Sequence, residues 1–397
     1  MQPKIFMDAK KYKRRVIGKA IACGVFAAVL ILLALLKLSA EVCEWYSLNI
    51  ASAFIKAAIT LTSPLPFSLF EILIYAAAAL IISFLIFIIV ALCRKQFKRA
   101  LNGFVDLALI VFIVGTVYGA CVILPYNRGP VDIPRYQGST ELDKKEVYEM
   151  AHEYVLTLNE LSQSVERDEN GELIIDGGIE GLNERLNKAY KDVLTSDYFY
   201  DVTPKLKKWL WPQLMSAFSI SGVFFAPTGE SNVCTAYYSR SVVATAAHEM
   251  AQAKGVMREA DANLVSYYVL LNCDDDLLKY AGYSTLVGEM LEFLVYYDMD
   301  EERDALYDML SDEYYTDNRF TYEYAKKQGS LQKIGNFFND IYLKLSGLED
   351  GTDNYSPHDD ISYDSIPGEN GTIIITQWHI NEFSDVKKML LETFYQK

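Results

Sequence analysis

Ala247-His248-Glu249-Met250-Ala251-Gln252, with Gly255 and then Glu259-Ala260-Asp261-Ala262-Asn263 close behind, is the stretch that decides how this chain is read. Helical residues four apart lie one above the other, so His248 and Gln252 share a face, with Glu249 beside His248. Glu259 and Asn263 share a face of the next helix by the same spacing. The pattern is one residue short of H-E-x-x-H. The intact form brings two imidazoles to one Zn²⁺ and sets a glutamate against the metal-bound water, whose proton it takes. Here the second histidine is Gln252. A neutral amide oxygen is a poor zinc ligand beside imidazole, so His248 and Glu259 are left as the two good donors.

Upstream, Ser219–Ala226 has the composition of a strand and ends at Pro227-Thr228-Gly229-Glu230. The motif helix is predicted over Ser239–Lys254, with Gly255 placed to end it in a left-handed conformation. A second helix is predicted from about Met257 to Asn272, with Asp274-Asp275-Asp276 as its exit loop rather than a calcium site. Tyr237-Tyr238 precedes the motif helix; an oxyanion donor is one reading and packing is the commoner one.

Around this centre, Glu141–Leu161 has strong helical periodicity, with Thr140 in the position of a cap. Asn170-Gly171 reads as a tight turn. The segment from Glu166 to Gly177 superficially resembles a calcium loop, but its twelfth position is Gly177 where a bidentate glutamate is needed. Helices are predicted over Ile179–Tyr200, 285–297, 301–311 and 331–346. The tail from Asp350 to Gly371 is polar and turn-rich, and Thr372–Trp378 is a β-type run. Three other histidines exist: His152 on an amphipathic helix, His358 in the acidic tail, and His379, which alone could approach the cleft. The absence of C-x-x-C excludes a cysteine zinc knuckle. Location alone would allow Cys234 and Cys273 to pair.

The chain changes character at about residue 124. Ala20–Leu36, Ile72–Cys93 and Leu107–Leu124 carry no charge, and each is about the length that crosses roughly 30 Å of hydrocarbon as a helix. We expect residues 1–124 to form a membrane domain with spans at about 18–38, 70–93 and 104–124, and residues 125–397 to form an outer domain. Leu38-Ser39-Ala40 weakly resembles a signal-peptide cleavage site, but two further spans favour an integral, multi-pass protein of the cell membrane. The basic runs Lys10–Arg15 and Arg94–Arg99 mark cytoplasmic flanks, which puts the N-terminus inside and the C-terminal domain outside. In the join between the first two spans, Ile50–Leu61 is apolar enough to lie on the membrane surface or dip into it. Residues 1–124 carry a net charge of +8 and the remainder −23. A domain that acidic does not bind nucleic acid through phosphates. A transporter or channel is disfavoured, since the spans hold almost no buried charge apart from Asp106.

A strand, two antiparallel helices and a carboxylate on the second helix describe a gluzincin, in which an edge strand holds substrate by strand addition. Several further motifs occur in order: Ser221-Gly222 through Pro227-Thr228-Gly229-Glu230-Ser231-Asn232, then Arg258-Glu259-Ala260-Asp261-Ala262-Asn263, then Tyr280-Ala281-Gly282-Tyr283. Last come Asn339-Asp340-x-Tyr342-Leu343-Lys344 and Asp350-Gly351. With these the chain resembles the bacterial membrane family catalogued as domain of unknown function 3810, whose members look like zinc peptidases. The resemblance implies a mainly α protein, with three N-terminal transmembrane helices and an α+β zincin-like extracytoplasmic domain. It implies His248 and Glu259 as zinc ligands, Glu249 as general base if the site is active, and Asn263 as the partner orienting His248. The substrate strand would be Ser221, Gly222, Val223 and Phe224. Gln252 departs from the family pattern. The sequence therefore favours a non-catalytic pseudopeptidase that binds a peptide or protein segment. The alternative is an active zinc peptidase with a replacement ligand.

Overall fold

The structure, a computed structural model, describes residues 9–346, 359–367 and 373–395. Its contacts divide it into two compact units, Met1–Gly129 with Ala226–Thr228, and Pro130–Phe225 with Gly229–Lys397.

Among the described residues the regular elements of the first unit are all helices, which suits a chain that must satisfy its own backbone in hydrocarbon. It comprises α1 (Ala9–Leu36), α2 (Ala40–Tyr46), a π turn (Ser47–Ala51) running into α3 (Ser52–Thr62), α4 (Leu69–Cys93), α5 (Phe97–Tyr118) and, after a second π turn, α6 (Leu124–Tyr126). Among the described residues three helices are long and apolar enough to cross a membrane: Lys13–Leu36, Leu69–Cys93 and Phe97–Tyr126. The first and third start earlier than the apolar runs do, because basic flanks end a hydrophobic stretch without ending its hydrogen bonding. Side chains of Ser39 and Ser68 cap α2 and α4, accepting from the amides of Val42 and Glu71. Gly115 of α5 packs against Leu30 of α1, and Gly119, at the start of the π turn that follows α5, against Leu33. Asp106 is not a lone charge. It pairs with Lys19, whose Nζ also donates to Asn102 at 3.1 Å.

The second unit comprises α7 (Lys144–Ser164), α8 (Gly178–Val193), β1 (Leu206–Lys208), α9 (Pro212–Ala217), β2 (Gly222–Phe225), β3 (Glu230–Val233), α10 (Ser239–Ala253), α11 (Glu259–Asn272) and α12 (Asp276–Tyr296). It continues through α13 (Asp300–Asp308), α14 (Asp312–Lys326), α15 (Gln332–Ser346), β4 (Asp360–Pro367), β5 (Ile373–Glu382) and α16 (Asp385–Phe394). One sheet has the order β1-β3-β2, with β1 parallel and β2 antiparallel to β3. The core lies among α7, α10, α11, α12 and α16. The fully buried alanines 246, 247 and 251 of α10 take little room there, and α11 and α12 pack against α10.

Several boundaries differ from expectation. Asp143, not Thr140, caps α7, its carboxylate accepting from the amides of Lys145 and Glu146. The α8 helix stops at Val193, short of Tyr200. The α12 helix begins nine residues before the predicted 285, and α14 and β4 have no counterpart among the predicted elements. In β4, Ile361 and Tyr363 alternate with polar residues, a period-two signal masked by the acidic, turn-rich setting. His358 and Asp350-Gly351 lie outside the described residues.

Candidate site on the paired helices

Gly255 fixes where α10 ends and so where its face points. Its φ is +92°, a conformation glycine adopts without strain. Its amide donates to the Gln252 carbonyl and that of Val256 to Ala251, closing the last turn. The chain then reverses into α11. From the other side, Ser231 Oγ donates to the Glu249 carbonyl at 3.0 Å and Tyr190 Oη to that of Ala247 at 2.6 Å.

Four of the expected side chains meet between the two helices. His248 Nδ1 lies 2.7 Å from Asn263 Oδ1 and Nε2 lies 3.0 Å from Glu259 Oε2. Both ring nitrogens thus face oxygen acceptors, which is the arrangement of an imidazolium. Burial alone would lower the His248 pKa, but the hydrogen bond and charge of Glu259 outweigh it and hold the group at about 9. Gln252 fills the remaining corner. Its Nε2 donates to Glu259 Oε1 at 3.2 Å and Oε2 at 3.1 Å, and lies 3.2 Å from His248 Nε2.

Glu249 faces the strand instead. Its carboxyl accepts the Phe224 amide, and burial, aided by the charge of Glu259, pushes its pKa up to about 8. Its Oε2 is buried without a hydrogen-bond partner. Gly222 permits this approach, since a Cβ there would stand 2.5 Å from Glu249 Oε1. Among the described residues the strand is an edge: β3 covers one side of β2, and N–H groups alternate between the two sides of a strand. Because the Phe224 amide goes to Glu249, Phe224 faces the side away from β3. Ser221 accepts the Cys234 amide through its carbonyl, and Asn232 Nδ2 donates to the Val223 carbonyl at 3.1 Å, securing the hairpin.

An amide N–H group occupies the position of the lost ligand, and the imidazole is committed to two oxygens. Among the described residues, no three His, Cys, Asp or Glu side chains are placed to share a metal ion. His379 is exposed on β5 and bonds Asp364 Oδ2 at 3.1 Å. His152 stacks on Tyr148 along α7. Tyr238 is not an oxyanion donor, because its hydroxyl bonds Asp317 at 2.5 Å. Cys234 and Cys273 are both free thiols. Asp275 caps α12, accepting from Leu278.

The buried Asp317 is a centre that sequence reasoning misses. Arg167 grips it bidentately at 2.6 and 2.9 Å, and the hydroxyls of Tyr238 and Tyr280 bond it at 2.5 Å each. The partners stand 37 to 150 positions away in sequence, so no local spacing reveals them.

A model of the family described as protein of unknown function (DUF3810) matches residues 46–358, and the chain belongs to that family. No curated protein and no solved structure matches the chain.

Proposed function

We propose that this DUF3810 protein is a membrane-anchored, non-catalytic relative of gluzincin-type zinc peptidases, whose outer domain binds an extended peptide or protein segment. The observation that carries the reading is the Gln252 amide bonded to Glu259 beside His248. At that point the zinc-peptidase pattern calls for a second imidazole. In that cluster the His248 imidazole is held between Glu259 and Asn263. The adjoining strand, Gly222–Phe225, is paired to β3 on one side, and it supports the binding half of the proposal because strand addition at a sheet edge is a usual way to hold an extended segment. The basic flanks at Lys10–Arg15 and Arg94–Arg99 support a cytoplasmic N-terminus and an extracytoplasmic second unit.

The test is the zinc content of the full chain purified in detergent, measured by elemental mass spectrometry for wild type and Gln252→His. The expected result is no zinc in the wild type and near-stoichiometric zinc in Gln252→His. Zinc in the wild type that disappears in His248→Ala would sink the proposal and return the alternative, an active peptidase with a replacement ligand. Two zinc-free proteins would keep the non-catalytic half and remove the kinship with zinc peptidases.

A further inference from the structure

We infer that Ala40–Thr62 is an in-plane membrane helix. It lies at the boundary between headgroups and acyl chains and presents its apolar outer face to lipid.

The argument begins with direction. Along α1 and α5, Lys19 meets Asn102 and Asp106, Leu30 meets Gly115, and Leu33 meets Gly119. The numbers rise together, so the two helices run parallel. The α4 and α5 helices are joined by three residues, Arg94–Gln96, and Gly103 packs on Phe87 and Ile88; they are antiparallel. Hence α4 runs opposite to α1, and it starts on the membrane face where α1 ends. The segment between them leaves and returns on one face. As a single continuous helix through the π turn, it cannot cross the bilayer.

Its length makes this a decision. At 1.5 Å per residue, the 23 residues from Ala40 to Thr62 reach about 34 Å. That is enough to span, so composition alone leaves both placements open. Direction settles it, and local contacts agree. Cys43 is fully buried with Leu33 near the end of α1 and Leu124 at the start of α6, and its thiol donates to the Leu36 carbonyl. Arg128 binds Glu44 bidentately at 2.9 and 2.7 Å. The helix is therefore fastened to the ends of spans, not to their middles.

Lipid is the occupant of its outer face because that face continues the exposed apolar surface of the spans. Trp45 is 60% exposed, Phe54 45% and Leu61 77%, and Leu38 in the turn before it is 78% exposed; Asn49 and Lys56 are exposed among them, as polar groups at the headgroup level of an in-plane helix are. Cys43, Ser47, Ala51 and Ile55 form the buried face. A tryptophan at the entry with bulky apolar residues along the face is the composition of an interfacial helix.

The test uses the full chain in phosphatidylcholine vesicles carrying bromine at shallow or deep acyl positions. Trp45 emission is obtained as the difference between wild type and Trp45→Phe. A second reporter, Phe54→Trp, is read as its difference from wild type. Both reporters should be quenched, and each more by shallow bromine than by deep. Nine residues separate them, about 13 Å along a helix, so a helix inserted across the bilayer would carry one of them deep, and stronger quenching of either reporter by deep bromine would overturn the inference. Absence of lipid quenching at both positions would overturn it as well, and would mean that protein, such as a second copy of the chain, or water covers the face.

Discussion

Lys387 shows how much one buried charge can organise. Its side chain is 1% exposed and its ammonium meets Asp359 at 2.7 Å, Glu289 at 2.9 Å and Glu292 at 2.6 Å. Burial opposes that charge, but Glu289, Asp359 and Glu292 raise the Lys387 pKa above its ordinary value. For Asp359 burial pushes the other way, and Lys387 and the Ser384 amide overcome it to lower the carboxyl. The two directions fix the pH window. Stability from Asp359 is present above its unfolded pKa of 3.8 and lost as pH falls through the lower folded value. Stability from Lys387 is present below its unfolded pKa of 10.5 and lost as pH rises through the higher folded one. Replacing Lys387→Met strands Asp359 without a cation and should cost about 3–5 kcal/mol near neutral pH. That deficit should shrink in acid, where Asp359 becomes neutral. Denaturant melts of both proteins at pH 7 and pH 3.5 check this, and a deficit that does not change with pH refutes it. None of this is visible in the sequence, where Asp359 and Lys387 stand 28 positions apart and Asp359 falls in a polar, turn-rich tail. The meeting of His248 with Gln252, Glu259 and Asn263 is visible, because helical spacing on two consecutive helices encodes it.

At the scale of elements, legibility follows how local each signal is. The α10 and α11 helices are readable from Gly255 and from i, i+4 spacing, and the apolar runs of α1, α4 and α5 from length alone. The start of α12 escapes the sequence because it is set by Asp275, in an acidic run that looks like loop. The α14 helix is rich in tyrosine and charge, and its amphipathic pattern is blurred because Asp317 points inward. Gly255 is the element-level residue with the clearest consequence. A side chain there would be strained at φ +92°, and its Cβ would stand 2.6 Å from the Tyr200 ring. Gly255→Ala should therefore destabilise by more than about 1 kcal/mol, against the gain expected where backbone and space permit alanine. It should also disturb the reversal that brings Glu259 to His248. Thermal melting of Gly255→Ala beside Gly288→Ala checks the first point, since an added methyl at the helical Gly288 would meet nothing within 4 Å. Equal melting temperatures would refute it.

At the scale of the molecule, the charge asymmetry separates a helical membrane unit from an acidic second unit, and the second unit is closed by its own far end. The α16 helix follows the segment that the family model matches, yet Val386, Met389, Leu390 and Leu391 are all buried in the core. The Phe394 ring meets Tyr154 of α7 and Tyr283 of α12 edge-on at 5.2 and 5.7 Å. The same end also holds the start of the unit: the Tyr136 amide donates to the Lys388 carbonyl at 3.0 Å, and the Asp143 amide to Tyr395 Oη at 3.3 Å. Each such apolar side chain contributes about 1.5–3 kcal/mol on burial, so the four together match the roughly 5–15 kcal/mol that a whole domain holds in reserve. Deleting residues 385–397 from the full chain should accordingly abolish cooperative unfolding of the second unit and leave it open to protease, while α1, α4 and α5 stay helical in detergent. Near-ultraviolet circular dichroism and limited proteolysis read the second unit, and far-ultraviolet signal reads the helices. If the truncated chain keeps wild-type protease resistance, α16 is an appendage, and the core of the second unit is complete within residues 130–384.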